Sequence, residues 1–125
     1  FNEGYAQYFE DPSSTEWGEG LELTPDGLAR LAETLPGVFG MDYEAFYAGS
    51  NEARRLKYRL AWSVAVFLEK GAPKVRFQPF KNLKRDYVES LLETRDMRRA
   101  TSTAFGSKET LDLFVAEWKR FWLER

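Results

Sequence analysis

The chain has 125 residues, of which 43% are hydrophobic and 16% aromatic, so it is long and apolar enough for one packed domain. Its 18 basic and 20 acidic residues give a net charge of −2, which excludes a strong overall attraction to nucleic acid or to an anionic membrane. It contains no cysteine and no histidine, which excludes disulfides, thiolate metal sites and the usual acid–base side chain at neutral pH.

The first predicted helix covers the opening stretch of the chain and ends at Asp11-Pro12. Four aromatic residues recur there on one helical face: Phe1, Tyr5, Tyr8 and Phe9. A second helix is predicted to begin after an N-cap at Thr24, with Pro25 in the first helical position, and to end at Pro36-Gly37. A short third helix is predicted between Asp42 and Gly49.

The fourth predicted helix is long and central, beginning at a cap on Ser50 or Asn51 and ending at Gly71. Its apolar stripe consists of Leu60, Ala61, Val64, Phe67 and Leu68. The next segment, Ala72–Pro79, contains two prolines and alternates apolar with charged residues. This pattern predicts an extended connector, with a short edge strand as the more specific alternative.

Three further helices are predicted in the last third of the chain. The fifth is indicated by Leu83, Tyr87, Val88, Leu91 and Leu92, and the sixth by Met97, Ala100 and Ala104. The final helix is capped by Ser107 and carries Leu111, Phe114, Val115, Trp118, Phe121 and Trp122. The predicted fold is therefore all-α, an irregular bundle of about six or seven helices that forms a single domain over residues 1–125.

The most specific motif lies at the start of the chain, where residues 2–10 read N-E-G-Y-A-Q-Y-F-E. This string resembles the N-E-G-x-A-x-Y-x-E stretch of gluzincin zinc metallopeptidases, a group that includes thermolysin-like enzymes and zinc aminopeptidases. In that group an H-E-x-x-H helix supplies two histidine ligands, and a following helix supplies a glutamate. The resemblance implies that Glu3 is the third zinc ligand and that the reaction is peptide-bond hydrolysis by a zinc-activated water.

A second stretch, Tyr58–Val64, reads Y-R-L-A-W-S-V. It is similar to the Y-x-x-[GA]-x-S/A-V helix that follows the zinc helices in aminopeptidase-like gluzincins. The tyrosine of that helix donates a hydrogen bond to the tetrahedral intermediate. The resemblance therefore implies that Tyr58 is an oxyanion donor.

The histidine helix of the family, with its general-base glutamate, is not in this sequence. Because natural chains begin at methionine or after a processing site, we expect residues 1–125 to be the C-terminal portion of a larger metallopeptidase-like protein. Zinc is then expected in the full-length parent, and this part alone is expected to bind none and to be inactive. The expected partners are the missing N-terminal zinc-binding half and a peptide or protein substrate, without nucleic acid and without a membrane segment in this chain.

Simpler interpretations exist for each feature. Glu3 alone is typical of an exposed helical glutamate, and Tyr58 is typical of a tyrosine at the rim of a core. The alternative function is a non-catalytic helical module that binds a protein or a peptide.

A third hypothesis, nucleic-acid binding, would use three basic clusters, although neighbouring acidic residues such as Glu89 near Arg85 favour solvated helix faces. The clusters are Arg54, Arg55, Lys57 and Arg59; Lys81, Lys84 and Arg85; and Arg95, Arg98 and Arg99.

Overall fold

The computed structural model describes residues 24–39, 45, 47–75 and 78–124. Within these ranges the fold is all-α, as predicted, and no residue belongs to a β-strand. The helices are α1 (Pro25–Phe39), α2 (Asn51–Lys70), α3 (Gln78–Lys81), α4 (Leu83–Thr94), α5 (Met97–Phe105) and α6 (Lys108–Glu124), with a 3-10 turn at Ala72–Lys74.

Five of the described helices have nine residues or more, and α3 has only 4 residues. Without α3, the described residues contain five helices, somewhat fewer than the six or seven predicted for the whole chain. The predicted first helix lies outside the described residues. The predicted third helix, from Asp42 to Gly49, lies partly outside them, and its described residues Ala45 and Tyr47 are helical.

Helix α1 begins as the sequence predicts but ends later. The Thr24 hydroxyl accepts a hydrogen bond from the Gly27 amide at 3.1 Å, and Pro25 is the first helical residue. The predicted end at Pro36-Gly37 is wrong, because the helix continues to Phe39 with Pro36 inside it. A proline in a helix interior costs about 3 kcal/mol. Burial of Phe39 among other aromatic rings offsets much of that cost.

Helix α2 is the central element. The Ser50 side chain accepts a hydrogen bond from the Ala53 amide at 3.2 Å, and the helix ends before Gly71, as predicted. Every residue of 60–68 is buried, which includes the whole predicted stripe. A Cβ on Gly71 would come within 2.5 Å of the Phe67 ring and 2.8 Å of the Phe121 ring, so this close approach requires glycine.

The connector after α2 corrects the prediction of an extended segment. Ala72–Lys74 forms a 3-10 turn and Gln78–Lys81 forms a short helix. Among the described connector residues, Val75 has extended backbone angles. Each of the two prolines lies within the first two positions of its helical turn. Proline suits that position because its fixed φ is helical and no hydrogen bond from its nitrogen is needed there.

Helices α4 and α5 pack against each other across the connection Arg95-Asp96. The Asp96 carboxylate caps α5 by accepting hydrogen bonds from two backbone amides, and Arg95 has a left-handed conformation with φ 54°. The apolar residues that predicted α4 do not all face the core. Val88 is 45% exposed and Leu92 is 76% exposed. Each directly follows a residue of the core-facing stripe and therefore points about 100° around the helix from it.

The core is aromatic and is centred on α6, whose N-cap Ser107 accepts a hydrogen bond from the Thr110 amide as predicted. Phe114 is fully buried, and its ring centroid lies within 5.7 Å of four other phenylalanine rings. These belong to Phe39, Phe67, Phe80 and Phe105. Most of these contacts are edge-to-face, the geometry that aromatic quadrupoles favour. Helices α1 and α6 pack together and both contact α2.

Candidate functional site at Tyr58

Of the two site residues that the sequence predicts, the structure describes one. Glu3 lies outside the described residues. Tyr58 is described, and it lies on α2 as a half-buried side chain. No residue of 51–59 is buried, whereas 60–68 are all buried. Tyr58 therefore lies where α2 passes from the surface into the core.

A cleft opens beside Tyr58 and is lined by Tyr47, Asn51, Arg54, Arg55 and Tyr58. The rings of Tyr47 and Tyr58 meet edge to face, with centroids 5.8 Å apart and an interplanar angle of 72°. Arg54 and Arg55 precede Tyr58 by four and three positions, so all three share one face of α2. Arg54 Nη2 donates a hydrogen bond to Asn51 Oδ1.

Lys57 fixes the wall of the cleft that carries Tyr47. Its Nζ donates hydrogen bonds to the carbonyl oxygens of Ala45 at 2.9 Å and Ala48 at 3.0 Å. These bonds tie α2 to the segment that carries Tyr47. Lys57 is thus a structural cation, although the sequence groups it with the surrounding arginines.

Arg55 differs from its basic neighbours. It is exposed, and its guanidinium group makes no hydrogen bond or ion pair with any residue in the described ranges. The first turn of α2 contains one acidic residue, Glu52. The cleft therefore combines two phenol rings with two guanidinium groups, and neither guanidinium forms an ion pair with a carboxylate in the described part of the chain.

The other basic clusters are interleaved with acidic side chains, as the sequence predicts. Lys84 pairs with Glu69 at 3.3 Å, and Arg85 lies 4.0 Å from Glu89 in the predicted i, i+4 pair. Further ion pairs join Arg85 to Asp86 at 3.2 Å and Arg99 to Asp96 at 4.0 Å. These pairs are solvent-exposed and contribute little to stability, but they reduce the net positive charge of the faces that carry them.

The described residues do not form a metal site by themselves. Among them no group of three or more His, Cys, Asp or Glu side chains is placed to hold a metal ion, and the whole sequence lacks His and Cys. A catalytic zinc needs three protein ligands. The described residues alone therefore do not supply the ligands of such a site.

The Ser63 hydroxyl lies in the core rather than in a cleft. It donates a hydrogen bond to the Leu60 carbonyl at 2.6 Å and accepts one from the Trp118 indole at 3.1 Å. Both interactions are buried, which makes Ser63 a packing residue and not a nucleophile.

In the described ranges no helix combines the length and the apolar character of a membrane span.

Sequence reasoning identified Tyr58 but missed Tyr47 and the special position of Arg55. The predicted third helix, between Asp42 and Gly49, includes the position of Tyr47, but that prediction did not place this residue beside Tyr58. The pair Gly49-Ser50 could have indicated that Tyr47 lies near Tyr58, because a glycine followed by an N-cap residue predicts a sharp turn of the chain between the two tyrosines. Gly49 indeed has a positive φ of 92°. No protein-family model, curated protein or solved structure gives a significant match to the chain.

Proposed function

We propose that this chain is the C-terminal helical part of a gluzincin-type zinc peptidase. Glu3 is the third protein ligand of the zinc, Tyr58 is the oxyanion donor, and the substrate is a peptide or protein. The proposal rests on the N-E-G-Y-A-Q-Y-F-E string at residues 2–10 and on the Y-R-L-A-W-S-V string at residues 58–64, both of which resemble that group.

The observation that carries the proposal is the position of Tyr58. A side chain that assists a reaction must reach the bound substrate while its backbone is held rigidly. Tyr58 meets both demands, because it borders an open cleft and belongs to the helix whose next nine residues are all buried. Tyr87, by contrast, is only 4% exposed and is a core residue.

The remaining parts of the zinc site must come from other polypeptide under this proposal. Two histidines and the general-base glutamate are expected on residues that precede Phe1, since this sequence has no histidine. The 125 residues alone are therefore expected to show no peptidase activity. Their part in the reaction is to hold Glu3 and Tyr58 against the preceding segment.

The oxyanion role is tested by Tyr58→Phe in a protein extended at the N-terminus to include the residues before Phe1. Loss of the phenol should lower kcat about 10²- to 10³-fold with little change in KM, because the donor acts on the transition state. Tyr87→Phe is the control, since that residue lies in the core away from the cleft. Equal activity of the two variants would reject the role of Tyr58.

The second candidate is a non-catalytic helical module that binds a protein or peptide. The exposure of Val88 and Leu92 on one side of α4 favours it, because exposed apolar side chains at i, i+4 are typical of helix-mediated binding. The coding sequence upstream of Phe1 separates the two candidates. An H-E-x-x-H motif roughly 20 residues or somewhat more before Glu3 favours the peptidase, and its absence favours the module.

A further inference from the structure

Basic side chains outnumber acidic ones along the start of α2. Four basic residues occur within its first nine positions: Arg54, Arg55, Lys57 and Arg59. The first turn carries the acidic residue Glu52, and the cations begin at the fourth position of the helix. Arg55 and Arg59 are also like charges at i, i+4, a destabilising spacing. The arrangement produces a positive potential at the cleft, which attracts an anion.

The hydrogen bonds distinguish three of these cations: Lys57, Arg54 and Arg55. Lys57 is used internally, since its ammonium group donates to the carbonyls of Ala45 and Ala48. The Arg54 guanidinium is oriented by Asn51, while the Arg55 guanidinium makes no hydrogen bond or ion pair within the described ranges. The two guanidinium groups that line the cleft thus have donors left for a ligand, and the bond to Asn51 partly orders one of them in advance.

The geometry points to Arg54 and Arg55 as a subsite for a carboxylate of the peptide substrate, with Tyr47 and Tyr58 forming its aromatic wall. This inference rests on the proposed function and deepens it, because it assigns a substrate class. The enzyme would prefer peptides that place a free C-terminal carboxylate or an acidic side chain beside Tyr58.

A carboxylate suits the cleft better than a phosphate does. Guanidinium groups bind a planar carboxylate through two parallel N–H···O bonds. The amides of Ala53 and Arg54 at the start of α2 are already bonded to Ser50, which leaves fewer backbone donors for the cradle common in phosphate sites. Nucleic-acid binding needs contacts to several phosphates, and with Lys57 engaged internally the cleft offers two guanidinium groups.

The inference is tested by titrating the 125-residue chain with three acetylated tetrapeptides and following the backbone amide resonances of residues 47–58 by NMR. One peptide has a free C-terminal carboxylate, one is fully amidated without acidic residues, and one is amidated but contains a single Glu. Inorganic phosphate is the fourth titrant. The variants are Arg55→Gln, Arg55→Lys and, as a control, Arg99→Gln on α5.

We expect the two carboxylate peptides to bind more tightly than the neutral peptide, and Arg55→Gln to weaken that binding about fivefold or more. Arg55→Lys should restore only part of the loss, since a lysine cannot form the paired bonds, and Arg99→Gln should change nothing. The stronger of the two carboxylate peptides tells which source the subsite accepts. Equal binding of the neutral peptide would overturn the inference.

Phosphate that binds as tightly as the peptides, with the same dependence on Arg55, would also overturn it, because the cleft would then hold an adventitious ion only. This readout needs no hydrolysis, so it separates the two proposals. Carboxylate binding by the chain, together with no zinc in the N-terminally extended protein, would sink the peptidase and leave the subsite standing. Zinc in that protein without a carboxylate preference would do the reverse.

Discussion

The indole N–H of Trp118 donates a hydrogen bond to the hydroxyl of Ser63 at 3.1 Å, which joins α6 to α2 across 55 positions of sequence. The same serine provides a second link, because its backbone carbonyl accepts a hydrogen bond from the Trp122 indole at 3.3 Å. Both tryptophans are buried. Ser63 therefore satisfies two indole donors that would otherwise lose hydrogen bonds to water on folding.

Replacement of Ser63 by alanine should destabilise the fold by about 1–3 kcal/mol, because the Trp118 indole N–H would be buried without an acceptor. Urea unfolding followed by tryptophan fluorescence measures the change. Ser102→Ala, at an exposed position on α5, is the matched control and should stay within about 0.5 kcal/mol of the wild type.

Trp118→Phe combined with Ser63→Ala separates the hydrogen bond from packing. Once the indole is absent, removal of the hydroxyl should cost less than it does in the wild type. Additive effects of the two substitutions would show that the bond between them contributes nothing.

Phe114 should be the most sensitive position of the core, since four phenylalanine rings lie around it. We expect Phe114→Ala to lower the free energy of unfolding by about 3–5 kcal/mol through lost contacts and a residual cavity. Phe114→Leu should cost less. Leu123→Ala, at a 46% exposed position on the same helix, serves as the control in thermal unfolding. A loss at Phe114 no larger than at Leu123 would contradict the aromatic core described above.

Arg95 occupies a left-handed conformation at the end of α4, with φ 54° and ψ 30°. This conformation costs an L-residue with a side chain about 1–2 kcal/mol, and glycine adopts it without that cost. Arg95→Gly should therefore stabilise the protein by about 0.5–1 kcal/mol, despite the larger entropy of glycine in the unfolded chain. Arg99→Gly, within α5, should destabilise it by about 1 kcal/mol. Thermal unfolding gives the melting temperatures of the wild type and of both variants. A melting temperature of Arg95→Gly below that of the wild type would contradict the prediction.

Lys57→Met should loosen the tie between α2 and the segment that carries Tyr47. Two hydrogen bonds from the ammonium group to the carbonyls of Ala45 and Ala48 would be lost, at a cost of about 1 kcal/mol for these partly exposed bonds. Hydrogen exchange at residues 47–50 should become faster, while Lys81→Met on α3 should leave it unchanged. Unaltered exchange in Lys57→Met would show that the lysine does not hold this wall of the cleft.

The parts of the fold that the sequence predicted are those governed by local chemistry. The caps at Thr24, Ser50 and Ser107 depend on a side chain and an amide three residues apart, so the pattern alone reveals them. The end of α1 was wrong because it depends on tertiary contacts. Phe39 is held in the helix by rings that include Phe105 and Phe114, which lie more than sixty positions away.

The candidate site was predictable only in part for a similar reason. A family resemblance selects Tyr58, but it does not show which side chains surround that residue. The pairing of Tyr47 with Tyr58 depends on the turn at Gly49, and the role of Lys57 depends on two backbone carbonyls that no sequence pattern encodes. Basic residues that look alike in the sequence thus differ in structure, because Lys57 bonds two carbonyls and Arg54 bonds Asn51, while the Arg55 guanidinium bonds no described residue.

The zinc content of the N-terminally extended protein, measured for the wild type and for Glu3→Gln, tests the account most directly. We predict about one zinc per molecule in the wild type and a severe loss in Glu3→Gln, with Glu10→Gln unchanged, because a catalytic zinc needs its third protein ligand. A wild-type protein without zinc, or a Glu3→Gln variant that keeps its zinc with undiminished affinity, would contradict the assignment of this chain to a gluzincin-type peptidase.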